Sequence, residues 1–155
     1  MRTVEFFVPG IPKPAGSKKG FYNKKINRVL IVDDCNKTKS WQGIVSTYAL
    51  QAKQDAELHE LIVDPIRVVF DFYFIRPKGH FGSGKNAMKL KPSAPIHHTT
   101  KPDVLKLARA VEDALTGIIY RDDSQIYDET LKKQYSNNNS GVRIKIQWEG
   151  ANNER

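Results

Sequence analysis

The sequence predicts a single α+β domain in which a mixed β-sheet carries two main helices packed on it. Its 155 residues match the size of one domain. Its apolar fraction of 39% is enough for one hydrophobic core at this length. Segments with alternating apolar residues are interrupted by two segments of helical periodicity, and no internal repeat or linker divides the chain. We therefore expect residues 1–148 to form the domain and residues 149–155 to form a flexible C-terminal tail.

The first half of the chain is predicted to contain a strand, a hairpin and a helix. Residues 3–8 are apolar enough for a short strand, and the prolines and glycines of residues 9–16 then prevent regular structure. Residues 21–32 indicate a hairpin. Ser40 is the predicted N-cap of a helix that reaches about Leu61. The predicted buried face of that helix consists of Trp41, Ile44, Val45, Tyr48, Ala49 and Ala52.

The second half is predicted to contain a long loop, a second helix and the remaining strands. A strand at residues 65–75 is followed by a loop of residues 76–102, and a loop of this length inside a small domain is usually functional. Residues 104–116 form the second amphipathic helix, which Gly117 ends. Its apolar face consists of Val104, Leu107, Ala108, Val111 and Leu115. Further strands are predicted at residues 118–120, 124–135 and 141–148.

Positive charge is concentrated in two segments that contain no acidic residue. The formal net charge is +8, and the isoelectric point is about 9.6. Residues 6–32 and 72–102 each hold six basic residues, so together they carry +12 and the rest of the chain carries −4. Localised positive charge fits a polyanion, because neutralised phosphates release counterions, although it also serves solubility. The candidate DNA contacts are Lys13, Lys18, Lys19, Lys24, Lys25, Arg76, Lys78, Lys85, Lys89, Lys91 and Lys101.

Several classes of protein are excluded by what the sequence lacks. No apolar run is long enough for a transmembrane helix or a signal peptide, so we expect a soluble protein without a membrane partner. Cys35 is the sole cysteine, which rules out an intrachain disulfide. Residues 79–86 resemble a phosphate-binding P-loop, but Asn86 replaces its magnesium-binding hydroxyl, so no nucleotide cofactor is expected. Contacts with phosphate or solvent, rather than metal binding, are predicted for His80, His97 and His98.

Much of the negative charge lies directly after the second basic segment. Asp103, Glu112, Asp113, Asp122 and Asp123 fall within 21 residues. Carboxylates brought together from a helix start and a strand end can hold Mg²⁺, which prefers oxygen ligands and can activate water against a phosphodiester. The alternative is structural, with Asp103 capping a helix and Asp122 and Asp123 forming a turn.

This acidic segment resembles a known family of nucleases. It consists of Lys101-Pro102-Asp103, a helix that reaches Asp113-Ala114-Leu115-Thr116-Gly117, and Asp122-Asp123-Ser124-Gln125-Ile126. Together with the proline-rich opening at residues 9–14, it resembles the RusA-type Holliday-junction resolvases from about Val4 to Trp148. The resemblance implies a RusA-like fold and a homodimeric, Mg²⁺-dependent endonuclease, with Mn²⁺ as a substitute, that cuts four-way DNA junctions in recombination and repair. It also implies a bacterial or phage origin and a cytoplasmic location.

The resemblance assigns roles to individual carboxylates. The family's catalytic acids fall on Asp103 and Asp123, with Asp122 adjacent. The acid of the family's helix falls on Asp113. These residues are therefore the expected metal ligands.

Three positions depart from the family pattern. Leu105 stands where the family has a second Asp, while Lys106 and Arg109 replace its Asn and its catalytic Lys. Because Leu105 cannot bind a metal, Glu112 or Asp113 is expected to supply the missing oxygen. The negative charge that develops on the phosphate is expected to be offset by Arg109, Lys106 or Lys101.

Three functions are compatible with these features. The leading one is a structure-selective endonuclease that resolves four-way junctions by paired symmetric cuts. The second is a catalytically impaired protein that binds branched DNA, since Leu105 removes a ligand. The third is a basic RNA-binding module, for which Tyr120, Tyr127 and Tyr135 offer aromatic rings but no known RNA-binding pattern.

Overall fold

The computed structural model describes residues 1–16, 18–25, 27–33 and 36–150, with the main chain alone at 18–23 and 28–33. The predictions for Cys35 and for tail residues 151–155 lie outside the described residues. In chain order the elements are β1 (Arg2–Pro9), β2 (Lys18–Asn23), β3 (Arg28–Asp33), α1 (Asn36–Asp55), β4 (Ile66–Ile75), α2 (Val104–Leu115), β5 (Ile126–Ser136) and β6 (Gly141–Trp148). The predicted α+β class is confirmed.

Four of the strands form one mixed sheet in the order β1-β6-β4-β5. Strand β6 pairs antiparallel with β1 and with β4, whereas β4 and β5 run parallel. The parallel pair requires a long crossover, which the segment containing α2 supplies. Strands β2 and β3 form a separate antiparallel pair, which confirms the predicted hairpin.

The core lies between one face of this sheet and the two helices. Alternate residues of the sheet are buried there, namely Val4, Val8, Ile66, Val68, Phe70, Phe72, Val142, Ile144, Ile146 and Trp148. The helices cover them with Trp41, Val45, Ala49, Leu107, Val111 and Leu115. Each large apolar side chain buried in this way contributes about 1.5–3 kcal/mol, so the apolar stripes fix both helices on the sheet.

Strand β5 is an edge strand whose charged residues alternate between the two faces of the sheet. In the parallel register, Glu129 lies beside Val68, whose side chain is buried in the core. Because side chains alternate along a strand, Glu129 and Lys133 face α2, whereas Asp128 and Lys132 face the opposite side. The contact between α2 and β5 therefore brings charged groups together.

Helix α1 begins one turn before its predicted cap, Ser40. It starts at Asn36, and Thr38 in its first turn is buried. The Thr38 hydroxyl donates a 2.7 Å hydrogen bond to the carbonyl of Pro14. This tertiary contact extends the helix past the N-terminus that the sequence predicts.

The other end of α1 and two residues of its predicted buried face also differ. The helix ends at Asp55 rather than near Leu61, and Glu57 then adopts a φ of 52°. A left-handed residue ends a helix, and Glu gives no sequence signal for that conformation. Ile44 and Tyr48 are 39% and 41% exposed, because they lie at the margin of the stripe that packs on the sheet.

The strand predicted at residues 118–120 is wrong. Gly117 has a φ of 82°, and its amide donates a 2.8 Å hydrogen bond to the carbonyl of Tyr120, which closes a turn. Tyr120 takes part only in isolated bridges. Strand β5 starts at Ile126, later than predicted, because Asp123–Gln125 form a 3₁₀ turn. Among the described residues, no helix is both long enough and apolar enough to cross a membrane.

Candidate active site

Asp103 stands directly before α2 without capping it. Its main chain is extended, with φ −68° and ψ 138°, but its side chain makes no capping hydrogen bond. The carboxylate is 63% exposed, and one oxygen lies 3.9 Å from the ammonium of Lys106. The capping alternative is therefore wrong for this side chain, which remains available to a ligand.

A cleft of about 350 Å³ opens beside Asp103. It is lined by Pro14, Lys101, Pro102, Asp103 and Lys106. The proline-rich segment reaches the cleft because the amide of Ala15 donates a 2.9 Å hydrogen bond to the carbonyl of Lys106. Two lysines beside one carboxylate can attract a phosphate while the carboxylate faces the same space.

Lys133 of β5 fastens the start of α2 to the sheet edge. Its ammonium donates hydrogen bonds to the carbonyls of Thr100 and Pro102, the second at 2.8 Å. Burial lowers the pKa of Lys133, and the negative charge of Asp103 opposes that shift. The position of Asp103 is therefore set by β5 as well as by its own helix.

A second group of acids lies towards the end of α2. The carboxyl groups of Glu112 of α2 and Glu129 of β5 lie within hydrogen-bonding reach of each other. Burial, followed by a hydrogen bond with Glu129 and the charge of Glu129, raises the pKa of Glu112 to about 8. The charges of Asp123 and Asp113 add to the shift, and burial also raises the pKa of Asp113 itself. Because two carboxyl groups share a hydrogen bond only when one is protonated, the pair holds a proton near neutral pH.

Asp122 has a structural role beside this group. Its carboxylate accepts a 2.8 Å hydrogen bond from the amide of Ser124, and its own amide donates to the Gln125 side chain. The hydrogen bonds from Ser124 hold the pKa of Asp122 below its usual value. The turn alternative is thus confirmed for Asp122 and Asp123, and the charge of Asp123 also acts on Glu112.

The predicted metal ligands lie in two places on this chain. Asp103 and Asp113 are ten residues apart in sequence, which is about 15 Å along a helix axis. In the part of the chain that the structure describes, no three His, Cys, Asp or Glu side chains are arranged to hold a metal ion. Glu129, Asp113 and Asp123 thus lie near Glu112, whereas Asp103 lies at the other end of α2.

The comparison with known families identifies the family of the chain. A sequence model of the family described as Endodeoxyribonuclease RusA matches residues 9–147. The chain belongs to the RusA family. A relative from Bacillus subtilis (strain 168), "Uncharacterized protein YqaN", is 31% identical over 137 residues, which is 88% of this chain and 90% of the relative. RusA membership confirms the resemblance seen in the sequence and supports an endodeoxyribonuclease with branched DNA as its partner.

The departure from the RusA pattern at Leu105 lies on the surface. Leu105 is 70% exposed on α2. Arg109, one turn further along, is also exposed, and its charge opposes the rise in the pKa of Asp113. A polar or charged side chain at position 105 would therefore displace no core packing.

The basic residues predicted to contact DNA divide into an exposed group and a partly buried group. The exposed ones are Lys24, Lys25, Lys78, Lys85, Lys89, Lys91 and Lys101. Lys13 and Arg76 are half-buried, and the Arg76 guanidinium lies 4.6 Å from the centre of the Tyr135 ring. The side chains of Lys18 and Lys19 lie outside the described residues, although their main chain belongs to β2.

The long loop after β4 is folded against the end of β5. His98 lies between the rings of Phe74 and Tyr135, each 4.7 Å away, and burial lowers its pKa. The predicted contact with phosphate or solvent is therefore wrong for His98. His80 packs edge-on against Tyr135 at 5.2 Å and lies 3.4 Å from the Arg76 guanidinium.

Two residues of the site escaped the sequence analysis, namely Glu129 and Lys133. Both occupy β5 positions that share a face with Leu131, which packs against the core. Charged residues in register with an apolar residue of a strand indicate that the strand lies at an edge, where charges can reach a helix end. This pattern of charged residues on the same face as Leu131 is the sequence signal from which Glu129 and Lys133 could have been assigned to the site.

Proposed function

We propose that the protein is a metal-dependent endonuclease that resolves four-way DNA junctions by paired symmetric cuts. The observation that carries the proposal is Asp103, whose carboxylate caps no helix and faces a cleft lined by Lys101 and Lys106. Membership of the RusA family supports DNA as the substrate. Since that substrate is chromosomal or phage DNA, we place the activity in the bacterial cytoplasm.

The proposed cofactor is Mg²⁺, with Mn²⁺ as a substitute. Mg²⁺ keeps several waters and is commonly bound by one or two carboxylates together with substrate phosphates. The acids of this chain fit such a substrate-completed site, because Glu112 and Glu129 are adjacent and Asp123 lies near them. They do not fit a site of three ligands supplied by the described chain alone. When bound, the ion supplies an activated water and stabilises negative charge on the phosphate.

The residues of the chain have separate tasks in this proposal. Lys101 and Lys106 bind a backbone phosphate in the cleft beside the Asp103 carboxylate, at the opposite end of α2 from the acids that would hold the metal. Arg109 is exposed on α2 and offsets negative charge that develops on the phosphate. Lys133 holds the start of α2 and thereby the direction of Asp103.

A homodimer is part of the proposal because a four-way junction needs two cuts. Two copies related by a two-fold axis present two equivalent sites to a symmetric substrate. Contacts with phosphates carry no sequence information, so the exposed basic residues would recognise the shape of the junction rather than its sequence.

A cleavage assay tests the proposed activity. The protein is incubated with a four-way junction and with a linear duplex, in Mg²⁺, Mn²⁺ or EDTA, beside the Asp103→Asn and Asp123→Asn variants. We expect paired nicks in the junction strands that need the metal and are lost in both variants. Junction binding is measured in parallel, so that loss of cleavage is separated from loss of affinity.

The second candidate is a branched-DNA-binding protein that does not cut. It is favoured by Leu105, which places an exposed apolar side chain where the RusA pattern has an acid. Selective binding of the junction without cleavage in either metal would establish this alternative and overturn the nuclease proposal.

A further inference from the structure

Residues 78–91, here called the lobe, carry an apolar tip among lysines. Met88 is 92% exposed, which makes it one of the most exposed apolar side chains described. Three lysines that lie close to it in sequence are also exposed, namely Lys85, Lys89 and Lys91. No acidic residue occurs in the lobe. The tip therefore offers Met88, with the 47% exposed Leu90 two residues further on, framed by positive charge.

The tip of the lobe is held by main-chain hydrogen bonds. The amide of Gly82 donates to the carbonyl of Lys89 at 2.9 Å, and the amide of Lys91 donates to the carbonyl of His80 at 2.9 Å. Two turns lie within the segment that these two hydrogen bonds close. In one of them, the amide of Lys89 donates a 2.9 Å hydrogen bond to the carbonyl of Asn86. Met88 therefore stands on a closed turn rather than on an open loop.

The close approach at Gly82 explains how the turn stays narrow. A Cβ at Gly82 would lie 2.6 Å from the Cβ of Asn86 and 2.8 Å from its carbonyl oxygen. Only glycine allows the two sides of the lobe to approach this closely. The narrow turn keeps Met88 at the tip.

The base of the lobe is anchored to the end of the sheet. The Arg76 guanidinium stacks on the Tyr135 ring at 4.6 Å and donates a 2.7 Å hydrogen bond to the carbonyl of Pro95. The ring of His80 packs edge-on against the Tyr135 ring, with the ring centres 5.2 Å apart. A partner that pushes against the tip therefore meets a supported element, and little ordering is needed on binding.

An apolar side chain on a supported, cationic projection is the arrangement by which proteins open base steps. Such proteins insert Phe, Leu, Ile, Met or Pro between bases and hold the flanking phosphates with basic residues. Methionine is unbranched and polarizable, so it can enter a narrow gap and contact a base face. A single exposed apolar residue alone carries no such meaning. Here the surrounding lysines and the absence of acids select a polyanion.

We propose that Met88 inserts between bases at the branch point of a DNA junction while Lys85, Lys89 and Lys91 hold the adjacent phosphates. Unstacking is least costly where base stacking is already interrupted, so the wedge favours branched DNA over linear duplex. The inference rests on the proposed function only in taking branched DNA as the partner. It does not require that the protein cuts DNA.

Fluorescence of 2-aminopurine tests the insertion directly. The probe base is placed at the branch point of a four-way junction and, as a reference, within a linear duplex, in EDTA so that no cleavage occurs. The chain is compared with its Met88→Ala and Met88→Leu variants. We expect the unaltered chain and Met88→Leu to raise the fluorescence of the junction probe, and Met88→Ala to lose that rise and about tenfold of junction affinity. Duplex affinity is expected to stay the same in all three.

The outcomes separate the wedge from the proposed function. Selective junction binding with equal fluorescence and affinity in Met88→Ala would overturn the wedge and leave the proposed function standing. Equal affinity of the unaltered chain for junction and duplex would overturn both. Thermal unfolding of each variant checks that the lobe change leaves the domain folded, as expected for a side chain that is 92% exposed.

Discussion

The carboxyl groups of Glu112 of α2 and Glu129 of β5 lie within hydrogen-bonding reach of each other where the helix lies over the sheet edge. A hydrogen bond between two carboxyl groups requires a proton on one of them. Because its pKa is raised to about 8, Glu112 carries that proton near neutral pH. Deprotonation leaves two like charges in contact, and a divalent cation would relieve that repulsion. Protein stability and pH are therefore linked at this pair, and under the proposed function metal binding would be linked to both.

The pH dependence of stability follows from Glu112. Its pKa of about 8 in the folded protein lies above the ordinary value of 4.5, so between these values the folded state retains a proton that the unfolded chain has released. The stabilisation is complete below pH 4.5 and is lost as the pH rises through 8. We expect Glu112→Gln to remove this loss and to gain about 1 kcal/mol at pH 9, after allowance for solvent screening. Urea unfolding at pH 6 and pH 9 measures it, and an unchanged pH slope in the variant would contradict it.

Glu129 is expected to contribute to metal-dependent cleavage. Glu129→Gln keeps the size of the side chain but removes the charge next to Glu112, so we expect at least about a tenfold higher Mg²⁺ requirement. Asp128→Asn is the matched control, because Asp128 lies on the opposite face and pairs with Arg67 at 2.8 Å. Titration of junction cleavage with Mg²⁺ compares the two, and equal requirements would exclude Glu129 from the site.

Leu105→Asp is expected to raise cleavage without a cost in stability. Leu105 is 70% exposed and lies in the first turn of α2, where a negative charge is favoured by about 0.3–1 kcal/mol. The new carboxylate would stand two residues from Asp103, as the RusA pattern has it. Cleavage rate and thermal unfolding are measured beside Leu105→Asn, which has the shape without the charge. Equal rates in the two variants would show that position 105 has no part in the reaction.

Lys133 is expected to support the start of α2. Lys133→Met removes the hydrogen bonds to the Thr100 and Pro102 carbonyls, so we expect a loss of about 2 kcal/mol and a fall in Tm of about 6 °C. The matched control is Lys132→Met, on the other face of β5, which should stay within about 0.5 kcal/mol. Calorimetry measures both, and similar Tm values would contradict the role of Lys133.

The lysines of the lobe are expected to set the salt dependence of DNA binding. Removing one phosphate contact by Lys89→Ala should reduce the slope of log affinity against log salt by about 1. Lys132→Ala, on the sheet face away from α2, should leave the slope unchanged. Fluorescence anisotropy with a four-way junction at several salt concentrations gives the slopes. Identical slopes in the two variants would show that the lobe does not contact the phosphates.

The local sequence pattern correctly predicted those helices and strands whose limits do not depend on tertiary contacts. The alternation of Val142, Ile144, Ile146 and Trp148 gave β6, because one face of that strand is buried along its whole length. The start of α1 could not be predicted, since it depends on the contact between Thr38 and Pro14. Its end depends on the positive φ of Glu57, a residue that does not favour that conformation.

The candidate site was predicted as a set of acids but not as an arrangement. The position of Asp103 before a helix followed from the sequence, as did the turn at Asp122. That Glu112 meets Glu129 depends on which residues of β5 face α2, and this follows from the parallel register with β4. Strand order and register are set by the whole sheet, so local sequence signals cannot specify them.

The loop that contains the lobe leaves the sheet at the end of β4, and the chain returns at Pro102, just before α2. Both attachment points lie beside β5, through Tyr135 for the lobe and Lys133 for the helix. The lobe, which would bind DNA, and the start of α2, which Asp103 precedes, are thus consecutive but separately anchored. Lengthening, shortening or replacing the lobe leaves the anchors in place. Substrate choice and bond cleavage can therefore diverge independently in evolution, and the lobe is the natural position for grafting a new DNA preference onto this scaffold.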